Sequence, residues 1–358
     1  MTRLARFAPL LVAGAALLSA ALTVTAHAAR LDTPSGAALP VEPLHPSLAG
    51  ATGWLNSAPL TLDGLRGKVV LVDFWTYSCI NCLRTLPYVR AWAHTYASQG
   101  LVVVGVHAPE FGFEHDPQRV RKALQDLQAD WPVAIDDDFA VWKSFRNQAW
   151  PALYFIDAQG RVRHHQLGEG NYAESEQAIR RLLAEAHAGA KAPSAMAVVE
   201  ARGIGAAPDF EHVRSSETYL GYAHADEAAP PDVLPDRAQR HAPAAPRLNM
   251  WSLGGGWVQR PEFVEATEAG GTITMRFHAR DLHLVLGAAD GQPVPFHITI
   301  DGHAPGRDHG VDVDEQGRGL VSGERLYQLV RAQDAVADHT FEIRFDRAEA
   351  RAWVFTFG

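Results

Sequence analysis

The sequence contains almost no cysteine. Cys79 and Cys82 are the only two in 358 residues, and two residues separate them. A zinc site would need a second pair of Cys or His ligands, and neither His94 nor His107 belongs to a paired ligand motif. The pattern therefore disfavours zinc, and no metal site is predicted.

The sequence also lacks positive charge in excess, and it lacks a long apolar run beyond its first residues. The formal net charge is −9, so nothing indicates a nucleic-acid-binding patch. An Ala/Leu-rich run over residues 7–24 follows two arginines and precedes Ala26-His27-Ala28. This pattern is typical of a secretory signal peptide, residues 1–28, cleaved after about Ala28; an uncleaved membrane anchor is the alternative. The mature chain is therefore expected to be periplasmic or secreted.

The two cysteines lie where a strand gives way to a helix. The strand formers Val69 to Trp75 end at Thr76–Ser78, and a helical segment begins near Cys79. A helix N-terminus favours a thiolate, and Cys82 is one turn further on, where it can close a disulfide with Cys79. A structural disulfide across so short a loop removes little unfolded-state entropy. A peroxidatic cysteine would have a proline where Val72 stands. The position favours a redox-active pair.

Strand-like and helix-like segments alternate over residues 53–187, after a Pro/Ala-rich lead-in at residues 29–52. This alternation predicts an α/β domain with a central sheet. The expected elements are a hairpin at 53–62, strands at 68–75, 101–106, 131–135, 152–156 and 161–167, and helices at 79–98, 119–129, 139–145 and 174–187.

Several residues of this half stand at fixed distances from the two cysteines. Asp73 lies six residues before Cys79, Pro87 lies five residues after Cys82, and Trp150-Pro151 precedes a strand and a Gly-containing hairpin. In these positions the half resembles the thioredoxin superfamily, in particular its TlpA-like group. The segments FWTYSCINCLRTLPY, GVHAPEF.FE and GEGNY resemble the soluble C-terminal part of DipZ-type proteins. The resemblance implies a thioredoxin-like fold and thiol–disulfide exchange.

Roles for three residues of the motif follow from this resemblance together with general chemistry. Cys79 is expected to be the exposed thiol of lower pKa that attacks the substrate, and Cys82 the buried thiol that resolves the mixed disulfide. Asp73 is the candidate proton acceptor for Cys82, because burial raises the pKa of a carboxylate. A hydrogen-bonded core aspartate is the alternative for Asp73. No cofactor is expected beyond the Cys79–Cys82 pair itself.

Four further residues are assigned to the neighbourhood of the dithiol. Pro151 is expected to be cis and to shape a substrate groove with Trp150 and Trp75. Glu110 follows the C-terminal end of a strand, the edge where α/β folds place their sites, and it is a candidate for tuning the dithiol. A solvated loop glutamate is the alternative for Glu110.

The second half has a different pattern. Residues 188–215 are rich in Ala and Gly and are predicted to be a linker that lets two parts fold separately. Residues 216–358 contain short strands at regular intervals, which predicts an all-β sandwich of jelly-roll type. This half resembles the carbohydrate-binding-module-like part of DipZ-type proteins. The aromatic residues that could stack on sugar rings, or else form the core, are Trp251, Trp257, Tyr327 and Trp353.

The sequence as a whole therefore predicts a periplasmic thiol–disulfide oxidoreductase that reduces or exchanges disulfides in envelope proteins. The resemblance adds a membrane electron donor of CcdA or DsbD type and a role like that in cytochrome c maturation. The alternative is an envelope protein that binds a glycan or a protein partner and carries an accessory redox domain.

Overall fold

The computed structural model describes residues 38–188, 191–196, 199–224, 230 and 233–358. The predicted signal peptide, the first part of the lead-in and short stretches of the predicted linker lie outside these ranges. Within them, no helix combines the length and the apolar character needed to cross a membrane.

The first half is an α/β domain, as predicted, and its strands alternate with helices along the chain. The strands are β1 (Gly53–Leu55), β2 (Val69–Trp75), β3 (Leu101–His107), β4 (Val133–Ile135), β5 (Ala152–Ile156) and β6 (Val162–Leu167). The helices are α1 (Ile80–Tyr96), α2 (Pro117–Asp126), α3 (Ala140–Ser144) and α4 (Tyr172–Ala186).

The sheet of this domain is mixed, in the order β1-β4-β3-β2-β5-β6. Strands β2, β3 and β4 are parallel, whereas β1, β5 and β6 run antiparallel to their neighbours. Every residue of β2 is buried, because apolar side chains cover both of its faces. Strand β2 is thus a central strand of the sheet, and the two cysteines follow its C-terminal end.

The hairpin predicted at residues 53–62 is wrong. Strand β1 pairs with β4 instead, with Gly53 opposite Ile135. The chain turns away at Asn56, whose φ of 62° ends the strand and whose side-chain amide donates to the carbonyls of Ala129 and Trp131. These bonds bind the segment to β4 rather than to a second strand of its own.

Helix α1 carries the cysteine motif and has clear end signals. Cys79 is its N-cap, and Pro87 lies within the helix, as predicted. A 3-10 turn, Ala97–Gln99, continues the helix to Gly100, whose φ of 98° is a left-handed conformation that glycine adopts without strain. The next helix, α2, has Asp116 as its N-cap, and the Asp116 side chain accepts a hydrogen bond from the backbone N–H of Gln118.

The second half is an antiparallel all-β sandwich, which confirms the predicted class. The strands are β7 (Thr218–Tyr219), β8 (Gln239–His241), β9 (Trp251–Gln259), β10 (Val264–Ala266), β11 (Thr272–His278), β12 (Asp281–Ala288), β13 (Val294–Ile300), β14 (Arg318–Val321), β15 (Arg325–Arg331), β16 (Asp338–Phe345) and β17 (Ala350–Phe357). Nine of them follow one another in the order β14-β13-β16-β11-β9-β10-β17-β12-β15, while β7 pairs with β17 and β8 pairs with β9.

The aromatic residues considered for sugar stacking lie in the interior. Trp251, Trp257, Tyr327 and Trp353 are each no more than 2% exposed. The first three belong to the core between the strands, and Trp353 packs on the ring of Phe113 in the α/β domain. A side chain in such a position has no free face for a sugar ring, so the proposed stacking role is wrong for these four residues.

The two halves share a buried apolar cluster. Ile80, Leu83 and Phe111 of the α/β domain pack against four side chains on the outer face of the sandwich. Those four are Val285, Leu326, Trp353 and Val354. The predicted linker is therefore not the only connection between the halves, and residues 39–358 form one compact unit.

Candidate redox site

Cys79 is presented at the first turn of α1. Its sulfur accepts a hydrogen bond from the backbone N–H of Cys82 at 3.3 Å, which is the N-cap interaction of the helix. Cys79 is partly exposed, whereas Cys82 is only 3% exposed. Both side chains are free thiols in this structure. One thiol is thus open to a partner and the other is shielded beside it.

Asp73 lies below the pair, on β2. It is 2% exposed, and its Oδ1 has no hydrogen-bond partner among the described residues. Burial raises the pKa of Asp73 to about 7. The charge of Asp73 in turn contributes to raising the pKa of Cys82, so the two groups interact electrostatically. A carboxyl group with this pKa can accept and return a proton near neutral pH.

The two thiols differ in how strongly their surroundings oppose ionisation. Burial raises the pKa of Cys82 well above its ordinary value, and the neighbouring Cys79 adds to this. Burial also raises the pKa of Cys79, but hydrogen bonds from the Cys82 thiol and backbone N–H oppose the rise. The expectation of a thiolate favoured by the helix N-terminus is therefore only partly met, because burial and nearby carboxylates act against it.

The cis-proline loop faces this site from β5. The Trp150–Pro151 peptide bond is cis, as predicted. The indole N–H of Trp150 donates to the carbonyl oxygen of Ala108 at 3.1 Å, and the ring packs on Trp142 with the centroids 4.4 Å apart. Trp150 remains partly exposed. The loop is thus fixed to the segment that follows β3.

Trp75 does not belong to the surface of the site, which corrects its assignment to the substrate groove. The side chain is 2% exposed and lies edge-on to the ring of His107 at 5.4 Å. Gly105, which pairs with Asp73 on β3, leaves room for the Trp75 indole: a Cβ at Gly105 would lie 3.1 Å from the indole nitrogen. Side chains alternate along a strand, so Trp75 faces α1 as Asp73 does, inside the domain.

Glu110 is held by a residue of the sandwich. The hydroxyl of Tyr219 donates to Glu110 Oε1 at 2.5 Å and lies 3.2 Å from Glu217 Oε2. Burial raises the pKa of Glu110 to about 8, and the charge of Glu217 adds to the rise. The carboxylates of Glu110 and Glu217 also raise the pKa of Cys79. Glu110 is therefore a partly buried carboxyl group within electrostatic reach of the dithiol, and not a solvated loop residue.

Glu114 is a site residue that the sequence reasoning missed. Its buried carboxylate accepts hydrogen bonds from the N–H and hydroxyl of Ser78 through Oε1, and from the N–H groups of Glu110 and Phe111 through Oε2. Glu114 thus joins the residue before Cys79 to the loop that carries Glu110. The sequence signal that could have identified Glu114 was its position as the last residue of the GVHAPEF.FE segment, which starts at the end of β3. No pattern in the sequence pointed to Tyr219.

Comparison with known proteins places this geometry in a family. A family profile described as AhpC/TSA matches residues 50–165, and one described as a thioredoxin like C-terminal domain matches residues 215–358. Thiol-disulfide oxidoreductase YkuV of Bacillus subtilis is 34% identical over 141 residues, which are 39% of this chain and 94% of YkuV. The chain belongs to the thioredoxin superfamily of thiol–disulfide oxidoreductases.

Relatives of this thioredoxin-superfamily chain include one that spans both halves. Protein DipZ of Mycobacterium tuberculosis is 35% identical over 337 residues, which are 87% of this chain and 42% of DipZ. The chain thus spans about two fifths of the length of that relative. The solution structure of a thioredoxin-like protein in its oxidized form shares 32% identity, with a TM-score of 0.37, over 41% of this chain and 97% of the other. The predicted resemblance to TlpA-like and DipZ-type proteins is confirmed.

Within the described residues, no group of three or more His, Cys, Asp or Glu side chains is arranged to hold a metal ion. The chemistry that the site offers is that of its own side chains. These are the partly exposed thiol of Cys79, the buried thiol of Cys82, the buried carboxyl group of Asp73 and the partly buried carboxyl group of Glu110.

Proposed function

We propose that this chain is a thiol–disulfide oxidoreductase of the cell envelope that reduces or exchanges disulfides in other proteins through Cys79 and Cys82. The observation that carries the proposal is the arrangement of the pair. The Cys79 sulfur caps α1 and is partly open, while Cys82 is buried one turn away and donates its N–H to that sulfur.

The reaction begins when the Cys79 thiolate attacks one sulfur of a substrate disulfide. A Cys79–substrate disulfide forms and the second substrate sulfur leaves as a thiolate, which takes up a proton. Cys82 then passes its proton to Asp73 and attacks the Cys79 sulfur. The Cys79–Cys82 disulfide forms, and the remaining substrate thiol leaves. The substrate disulfide is reduced to two thiols, and the protein dithiol is oxidised.

Each role follows from the surroundings of the residue in the structure. Cys79 is the thiol that a substrate can reach, and the pKa of Cys79 is raised less strongly than that of Cys82. Asp73 suits proton transfer because burial raises its pKa to about 7, close to the working pH. Trp150 and Pro151 line the approach to the site as the groove for the substrate backbone.

The envelope location and the electron supply are further parts of this proposal. The signal-peptide pattern at residues 1–28 supports export to the envelope, and the similarity to the thiol-disulfide oxidoreductase YkuV supports the thiol chemistry. Turnover needs an outside dithiol to reduce the Cys79–Cys82 disulfide again, and a membrane donor of CcdA or DsbD type is proposed for this. Cytochrome c maturation is one pathway that would use such an activity. Glycan binding is not proposed, because the aromatic residues expected to stack on sugars are buried.

Trapping of mixed disulfides tests the assignment of the two cysteines. Cys82→Ser should accumulate disulfide-linked adducts with a disulfide-containing protein, because the attacking thiol remains and the resolving thiol is gone. Cys79→Ser should form none, and the double variant provides the blank. Equal trapping by both single variants would overturn the assignment. A reduction potential measured in glutathione or dithiothreitol redox buffers would then show on which side of exchange the protein works.

A further inference from the structure

The sandwich domain provides polar groups at the redox site as well as apolar cover. Residues 217–219 immediately precede and enter β7, which is paired with β17 at Val354. This pairing brings the Tyr219 hydroxyl to within 2.5 Å of Glu110 Oε1, across 109 residues of sequence. The contact joins the two halves beside the dithiol rather than at a distance from it.

A continuous path of hydrogen bonds runs from this contact to the cysteine motif. Tyr219 holds the Glu110 side chain, and the backbone N–H of Glu110 donates to Glu114 Oε2 at 2.6 Å. Glu114 Oε1 accepts from the Ser78 hydroxyl, also at 2.6 Å, and Ser78 directly precedes Cys79. The position of the Glu110 carboxyl group relative to Cys79 is therefore set from both ends.

We propose that Tyr219 is a positioning residue of the redox site: it holds the Glu110 carboxyl group beside Cys79 and favours its ionised form, so that the sandwich domain sets the pH dependence of Cys79 attack. This proposal deepens the proposed function and rests on the role assigned there to Cys79.

The charged and polar groups around Glu110 determine in which direction its pKa and that of Cys79 should move. The groups that act on Glu110 are Glu217 and Tyr219 from the sandwich, and Glu114 from its own loop. The groups that act on Cys79 are Cys82, Glu110 and Glu217. The Tyr219 hydrogen bond lowers the pKa of Glu110 against the raising effect of burial. Burial raises the pKa of Tyr219 itself far above its ordinary value, so its hydroxyl stays a donor.

Removal of the Tyr219 hydroxyl should therefore keep Glu110 protonated to higher pH. Tyr219→Phe should raise the midpoint of Glu110 titration by about one to two pH units, because the ionised carboxylate loses a hydrogen-bond donor. Glu217→Gln removes a negative charge and should lower the same midpoint. Opposite shifts from two neighbouring residues would not result from a general loosening of the interface.

The experiment follows the side-chain carboxyl carbon of Glu110 by NMR between pH 5 and pH 10, with its signal assigned from its loss in Glu110→Gln. The rate at which iodoacetamide alkylates Cys79, read on the Cys79 peptide by mass spectrometry, is measured over the same range. With less negative charge nearby, Tyr219→Phe should raise this rate roughly threefold near pH 8.5, equivalent to a fall of about half a unit in the pKa of Cys79. Because the Tyr219 hydroxyl also lies 3.2 Å from Glu217 Oε2, Tyr219→Phe should keep only a clearly smaller effect on this rate in the Glu110→Gln background.

Tyr222→Phe is the matched control, since Tyr222 also donates to a carboxylate of the sandwich, Asp236, at 2.8 Å but is not among the groups acting on Glu110 or Cys79. It should leave both profiles unchanged. The proposal is overturned if Tyr219→Phe leaves the Glu110 midpoint in place, or if its effect on the Cys79 alkylation rate is undiminished with Gln at position 110. Should Tyr219→Phe fail to fold, an unmoved Glu110 midpoint in Glu217→Gln overturns it. Alkylation needs no disulfide exchange, so a failure here is distinct from a failure of mixed-disulfide trapping.

Discussion

Replacement of Asp73 by Asn should stabilise the reduced protein, and by more at high pH than at low pH. Asp73 is 2% exposed, and burial raises its pKa from 3.8 to about 7. Because the pKa in the folded state lies above that in the unfolded chain, the folded state binds the extra proton in this window. Stability is therefore lost as the pH rises from about 4 to about 7. Asparagine is neutral throughout and removes this loss.

The size of the effect follows from the pKa difference. A rise of about three pKa units corresponds to about 4 kcal/mol at a pH above both values. The Asn variant should therefore gain about 4 kcal/mol in the free energy of unfolding at pH 8, and less than about 1 kcal/mol at pH 4. Urea unfolding of the reduced proteins at several pH values measures this difference directly. The same variant should resolve mixed disulfides more slowly near neutral pH, since Cys82 loses its proton acceptor.

Asp157→Asn is a control of opposite sign. Burial alone would raise the pKa of Asp157, but hydrogen bonds from Arg161 and Arg163 outweigh burial and lower it. This carboxylate stabilises the folded state above the ordinary aspartate pKa, and that stability is lost as the pH falls through the lowered value. Its Asn variant should be less stable at pH 8, with the loss fading in acid. A gain for Asp73→Asn that is equal at pH 4 and pH 8 would refute the reasoning about Asp73.

Two further substitutions and a truncation test the surroundings of the site. Trp353→Ala should cost about 3–5 kcal/mol in urea unfolding, because it removes the ring that packs on Phe113 at 4.9 Å; unchanged stability would mean that the halves do not depend on this contact. Glu114→Gln should lower the free energy of unfolding by about 2 kcal/mol or more, because an amide nitrogen cannot accept the hydrogen bonds that the carboxylate accepts from N–H groups and a hydroxyl. Full stability together with normal Cys79 alkylation would contradict a positioning role for Glu114. A chain ending at residue 188 should lose about 5 kcal/mol in the free energy of unfolding and should bind a hydrophobic dye, because the truncation exposes Ile80, Leu83 and Phe111. An unchanged urea midpoint would show that the α/β domain folds independently.

Much of the α/β domain follows from its sequence, because local patterns determine it. The buried strand β2, the N-cap position of Cys79 and the helix end at Gly100 each depend on neighbouring residues. The cis bond before Pro151 followed from a motif in register. Trp75 was misplaced although strand alternation carries the needed information. It lies two residues after Asp73 and so on the same inward face, where an indole is buried.

The contacts between the halves could not be predicted in this way. Tyr219 and Glu110 are 109 residues apart, and nothing in either segment specifies its partner. The four aromatic residues of the sandwich were ambiguous for a related reason. A tryptophan in a strand has the same pattern whether its face meets a sugar, a core or a second domain. The packing of elements that are distant in the chain decides which of these three surfaces the tryptophan meets. A single sequence does not contain that information.

The outer face of the sandwich explains why the two halves act together. An antiparallel sheet with one face in water alternates apolar and polar residues, yet β12, β15 and β17 carry buried apolar side chains on both faces. On the outer face these are Val285, Leu326, Trp353 and Val354, and their cover is provided by Ile80, Leu83 and Phe111. Ile80 lies between the two cysteines. The contact that keeps the sandwich face from water therefore also packs on the first turn of α1, so we expect a change at this interface to alter the reactivity of the dithiol as well as stability.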